Sequence, residues 1–133
     1  MLDAYRDLID DLIDAPTEIK RRPPAGEVAG RLRELIDADN QALIHLQQLT
    51  RTRSPLLQPV APITAAGETD PATLVDAFDT ARGELVSLLM NLTLKDWEAT
   101  GIDTGGAEIS VADLVERHVE LDETIRAELT AAA

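Results

Sequence analysis

The chain has 133 residues, 25 acidic against 12 basic side chains for a formal net charge of -13, and no cysteine. That length fits one domain over residues 1–133 with a single apolar core. The missing cysteine excludes a disulfide framework, a thiolate nucleophile and a Cys-type zinc site, so any metal would need His, Asp or Glu. The negative field repels nucleic-acid phosphates and anionic lipid. Basic residues cluster only briefly, at Lys20, Arg21 and Arg22 and again at Arg51 and Arg53, without aromatics between them, and read as solvated loop charges. Neither a nucleic-acid nor a membrane partner is expected. No apolar run approaches the ~18 residues of a membrane span, and Met1-Leu2-Asp3-Ala4 does not open like a signal peptide. The expected location is cytoplasmic.

Four stretches show helical periodicity, and none keeps a period of two. In the first, Leu2, Tyr5, Leu8, Ile9, Leu12 and Ile13 share a face opposite Asp3, Asp7, Asp10, Asp11 and Asp14. Pro16 is expected to end or bend this helix, with a further turn or two from Thr17 to Arg22 before Pro23-Pro24. The second helix runs from about Glu27 to Thr50 on a stripe of Leu32, Leu35, Ile36, Leu43, Leu46 and Leu49. From Arg53 to Pro71 five positions, Pro55, Pro59, Pro62, Gly67 and Pro71, stop any helix. A connection of that length inside one domain has a geometric reason: it travels the length of a bundle and joins two helices that point the same way.

Asp70-Pro71 is a helix start, a side-chain cap followed by the ring at the first helical position. The third stripe is Leu74, Val75, Phe78, Ala81, Leu85, Leu88, Leu89 and Leu92, interrupted by Gly83, which suggests close approach of a neighbouring helix. A short helical piece from Leu94 to Thr100 carries the only Trp, and Gly101, Gly105 and Gly106 form a loop. The fourth long helix opens with Ser110 as cap, Asp113 in the capping-box position, and Ile109 set to pack on Leu114.

The order of these parts resembles the DinB/YfiT-like superfamily of four-helix bundles. The residues that carry the resemblance are Arg33-Glu-Leu-Ile-Asp-Ala-Asp-Asn40 on the second helix, Ser54-Pro-Leu-Leu57 opening the crossover, Asp96-Trp97 before the glycine loop, and the run from Val111 through His118 to Leu121, Asp122 and Glu123. They span nearly the whole chain. The resemblance implies an all-α four-helix bundle with a long crossover between helices two and three. It also implies a divalent ion (Zn, Ni or Fe) held by three imidazoles, thiol-transferase or hydrolase activity on low-molecular-weight thiols, and homodimers. Laid on this chain, the imidazole positions fall at Glu34, Leu121 and Ile125, around a retained Asp122, and the family's Trp-Ser start is replaced by Gly26 and Glu27. Leu and Ile have no lone pair to give, and the chain's only histidines are His45 and His118. The chain reads as a divergent member with a degenerate metal site.

His118 lies among Leu114, Val115, Leu121, Asp122 and Ile125 on the helical wheel and should point inward. It is expected to be a core histidine satisfied by a carboxylate such as Asp122; the functional reading pairs it with Glu34. An ion pair with Arg31, Arg33 or His118 is the favoured role of Glu34, and His45 sits at the edge of its stripe without a role. Glu116 and Glu120 fall on the polar side of the last helix, no Glu-x-x-His repeat supports a di-iron centre, and no phosphate loop or nucleophile elbow occurs. The sequence thus supports a non-catalytic bundle that binds a small apolar ligand or a second copy of itself in a vestigial pocket around Glu34, His118, Leu121, Asp122 and Ile125. No cofactor is expected. The alternative is a metal-dependent thiol transferase or hydrolase with a site rearranged around Glu34 and His118.

Overall fold

A computed structural model describes residues 2–21, 29–63 and 70–132. The elements are α1 (Leu2–Arg21), α2 (Ala29–Arg51), α3 (Pro71–Met90), the short α4 (Leu94–Glu98), β1 (Thr100–Ile102), β2 (Glu108–Ser110) and α5 (Val111–Ala132). The expected start of helix two at Glu27, the Gly26-Glu27 substitution, Pro23-Pro24 and Gly67 lie outside the described residues.

The four long helices make the expected bundle, and two buried clusters give its directions. One cluster joins Ala15 and Ile19 of α1, Leu32, Leu35 and Ile36 of α2, Leu74, Val75 and Phe78 of α3, and Ile125 and Leu129 of α5. The other joins Leu12, Ala42, Leu46, Leu49, Leu85, Leu89, Leu114, Val115 and Val119. The first therefore collects the beginnings of α2 and α3 and the ends of α1 and α5. Helices α2 and α3 run parallel, and α1 and α5 run parallel in the opposite sense. Going round the bundle, α1 packs on α3, α3 on α2, α2 on α5 and α5 on α1. Parallel neighbours in a chain of this length require the long crossover, which lies back along α2: Gln58 O meets His45 and the Ile63 amide donates to Asp37.

Three local expectations hold at the level of atoms. The Thr73 amide donates to Asp70 at the start of α3, Ser110 and Asp113 exchange hydrogen bonds at the start of α5, and Ile109 and Leu114 share a core cluster. Trp97 is buried and stacks on Tyr5 with ring centroids 4.3 Å apart, which closes the end of the bundle.

Three others are corrected. Pro16 does not end the first helix; α1 continues through it to Arg21. Gly83 is exposed, with no atom within 4 Å of where its Cβ would stand, so no neighbouring helix crowds it. The glycine loop is a hairpin, β1 pairing antiparallel with β2. The start of the crossover joins its edge: Ile102 donates to Pro55 O at 2.9 Å and Leu57 donates to Ile102 O at 2.8 Å. Gly101 is the position that needs no side chain, because a Cβ there would stand 2.6 Å from Pro55 O and 2.7 Å from Leu49 Cδ2.

Candidate functional site

Between the two apolar clusters lies a polar layer that touches all four long helices. Its centre is Arg82 of α3, only 1% exposed. Its Nε donates to Asp39 Oδ2 at 2.9 Å and its Nη2 to Asp39 Oδ1 at 3.0 Å and to Asp122 Oδ1 at 2.7 Å. Nη1 donates to Leu12 O of α1 at 2.9 Å. Four of the five guanidinium N–H groups are thus used, and the Phe78 ring lies 4.8 Å beneath the guanidinium carbon.

The Leu12 carbonyl is available for a reason written in the sequence. In an α-helix it would accept from residue 16, and Pro16 has no N–H. Arg82 supplies the missing donor. Burial works against the guanidinium charge, but Asp39 and Asp122 outweigh it and raise the pKa further above the ordinary arginine value. Outside the layer, Arg126 lies 3.1 Å from the second Asp122 oxygen and 2.8 Å from Glu18, so α5 and α1 are tied at its rim.

His118 is buried, and its Nε2 stands 2.6 Å from Asp39 Oδ1. His45 is also buried, with Nε2 2.7 Å from Gln58 O. A carbonyl only accepts, and so does a carboxylate held by a guanidinium. Both Nε2 atoms must therefore carry a proton, so any lone pair a ring can offer is on Nδ1. Both imidazoles line one cavity of about 190 Å³ between α2 and α5, with Ala38, Gln41, Ala42, Leu114, Arg117 and Leu121.

The residues singled out from the sequence are separated by this arrangement. His118 and Leu121 line the cavity. Asp122 faces Arg82, and Ile125 is fully buried in the apolar cluster. Glu34 is exposed and pairs with Arg31, as its ion-pair reading has it. It does not meet His118, because it lies five positions before Asp39, which turns it about 140° round the helix. The carboxylate that satisfies His118 is Asp39 rather than Asp122. His45 is buried and hydrogen-bonded rather than idle at a boundary. Asp39 and Arg82 are the residues that sequence reasoning missed. Their signal was phase: Asp39 falls between Leu35 and Ala42, and Arg82 between Phe78 and Leu85, each on the buried stripe of its helix.

No family model and no curated protein matches the chain. Among solved structures, the chain is similar to YfiT from Bacillus subtilis, described as a probable metal-dependent hydrolase with an unusual four-helix bundle topology. The TM-score is 0.86 at 14% identity, over 99% of this chain and 87% of that one. The chain thus has the DinB/YfiT-like four-helix bundle fold. Among the described residues no helix is long and apolar enough to cross a membrane.

The three-imidazole ion expected from the sequence resemblance does not fit the residues present. Glu34 is an exposed acid engaged with Arg31, and Leu121 and Ile125 offer no donor atom. The buried Asp39 and Asp122 carboxylates already surround a guanidinium, which carries the positive charge they need. Among the described residues no group of three His, Cys, Asp or Glu side chains is set to hold a metal.

Proposed function

We propose that the chain is a non-catalytic binding bundle, and that its ligand is a small molecule held in the cavity between α2 and α5. The observation that carries this reading is the commitment of Asp39 and Asp122 to Arg82 and of His118 to Asp39. Carboxylates that neutralise a buried arginine are not free to bind a metal or to take a proton from a substrate. What stays open beside them is a cavity whose wall is half apolar, from Ala38, Ala42, Leu114 and Leu121, and half polar, from Gln41, Arg117 and the two imidazoles. An apolar lining with a few fixed polar groups is the usual build of a small-molecule site. At this volume the ligand has an apolar body of a few carbons and one polar group. Self-association belongs to the same reading, and sedimentation velocity tests it.

A second reading is favoured by one observation. A histidine oriented by a buried carboxylate at the wall of a cavity is an arrangement suited to proton transfer, and it would make the chain a hydrolase or transferase centred on His118.

Fragment-sized ligands screened by NMR against the whole chain separate the two. Binding that shifts the His45 and His118 ring signals, with no turnover of ester or thiol substrates, supports the binding bundle. Stoichiometric zinc, nickel or iron in purified protein, lost with activity in His118→Ala, would sink it.

A further inference from the structure

We propose a second binding site at the far end of the bundle, for a sugar phosphate or a similarly phosphorylated polyol. A cleft of about 760 Å³ opens there between the end of α2 and α4, lined by residues 49–54, Lys95, Asp96, Glu98, Ala99 and Thr100. Three cations face it: Arg51, Arg53 and Lys95.

In a chain with 25 acidic side chains against 12 basic ones, three cations gathered on one cleft stand out. Lys20, Arg31, Arg82, Arg117 and Arg126 each hold a carboxylate. Arg51, Arg53 and Lys95 make no ion pair among the described residues; Arg6 and Arg33 make none either, but only at the cleft do three such cations line one space. Asp96, which lines the same cleft, is occupied in capping α4, where its carboxylate accepts from the Thr93 amide. The cleft therefore carries three cations against two carboxylates, a local positive excess on a strongly acidic molecule.

A second, independent feature falls at the same place. Ser54 is the only described non-glycine residue in the left-handed region, at φ 49°. Glycine would adopt that conformation without strain, yet the chain keeps a hydroxyl there, beside Thr52 and Arg53 on the cleft wall. Backbone strain at a wall of hydroxyls and guanidinium groups is consistent with a binding position. Two guanidinium groups match phosphate oxygens in pairs, and an ammonium adds a point charge. Glu98, the remaining acid of the lining, would repel a bare anion but accepts hydrogen bonds from hydroxyls. Phosphate at one end and hydroxyl groups at the other satisfy the whole wall, and a bare phosphate fills only part of it.

The test is a titration of the full chain with ribose 5-phosphate, inorganic phosphate and ribose at constant ionic strength, followed by amide shifts. Saturable shifts at Thr52–Ser54 and Lys95–Thr100 with ribose 5-phosphate are expected, weaker with phosphate and absent with ribose. The double variant Arg53→Gln/Lys95→Gln should lose affinity about tenfold or more with an unchanged melting temperature. Ser54→Gly should melt at the same or a higher temperature and bind less tightly. No saturable shift at the cleft with ribose 5-phosphate, or equal affinity in the double variant, overturns the proposal.

Discussion

Arg82 and Asp39 face each other through two parallel hydrogen bonds of 2.9 and 3.0 Å, with both side chains almost wholly removed from solvent. Such a pair is neutral only as a pair. Taking away the arginine leaves Asp39 and Asp122 buried without a counter-charge. Arg82→Ala should therefore cost about 3 to 5 kcal/mol of unfolding free energy in urea. The triple change Arg82→Met, Asp39→Leu and Asp122→Leu should recover the part of that loss due to unbalanced charge, although Leu12 O and the His118 ring N–H are then left without partners. A triple variant as unstable as Arg82→Ala would show that the layer contributes through something other than charge balance.

The bundle was legible because its helices carry long leucine stripes and explicit start signals, Asp70-Pro71 and Ser110 with Asp113, whose physics is local. The inward turn of His118 and Asp122 followed from the same wheel. The centre of the layer was hidden for a physical reason: a charged residue on a stripe is ordinarily its edge, and only the partner from another helix makes it core. Asp39 and Arg82 lie 43 positions apart, and nothing local links them. The strands of the hairpin have three residues each, too short for a period of two to register. At the cavity, His118 and Leu121 share the inward phase of α5 and line the wall, whereas Glu34 was placed there by the family position alone, and its own phase points it to solvent.

Two glycines should respond to alanine in opposite directions. Gly101→Ala brings a Cβ within 2.6 Å of a backbone oxygen and 2.7 Å of a buried leucine methyl. The hairpin and the crossover would have to part, at a cost of about 1 to 3 kcal/mol, as for other overpacked positions. Gly83→Ala adds its methyl to open space in the interior of α3 and should stabilise by about 0.5 to 1 kcal/mol. Thermal unfolding of the two variants beside the parent checks both signs. A gain at Gly101 would contradict the close approach of Pro55.

Asp103 ties the hairpin turn to α5. Its carboxylate accepts from the Ala107 and Gly105 amides, each at 2.9 Å, and lies 3.3 Å from Arg117. The Ala107 amide is the largest cause of a pKa held below the ordinary aspartate value, aided by Arg117 and Gly105 against a smaller opposing effect of burial. A carboxyl whose folded pKa is depressed adds stability above its unfolded pKa of about 3.9 and loses it as pH falls through the folded value. In Asp103→Asn this contribution is absent. Unfolding free energy measured from pH 6 downward should fall less steeply below about pH 4 in the variant than in the parent. Parallel curves would remove Asp103 from the acid response.

Pro16 and Arg82 should be energetically coupled through an atom that belongs to neither. The Pro16 ring removes the donor that Leu12 O would have in an uninterrupted helix, and Arg82 replaces it from α3. In the parent, Pro16→Ala gives Leu12 O a second donor it does not need, so the change relieves only ring crowding in α1. In Arg82→Ala the same carbonyl is left buried without any donor, a loss of about 1 to 3 kcal/mol. There Pro16→Ala restores the intrahelical bond. The substitution at position 16 should thus stabilise the Arg82→Ala protein by about 1 kcal/mol more than it stabilises the parent, a coupling well within the range of contacting residues. Urea unfolding of the parent, the two single variants and the double variant measures that difference directly. Additive effects would mean that Leu12 O does not join the two residues, and that α1 tolerates its internal proline without help from Arg82.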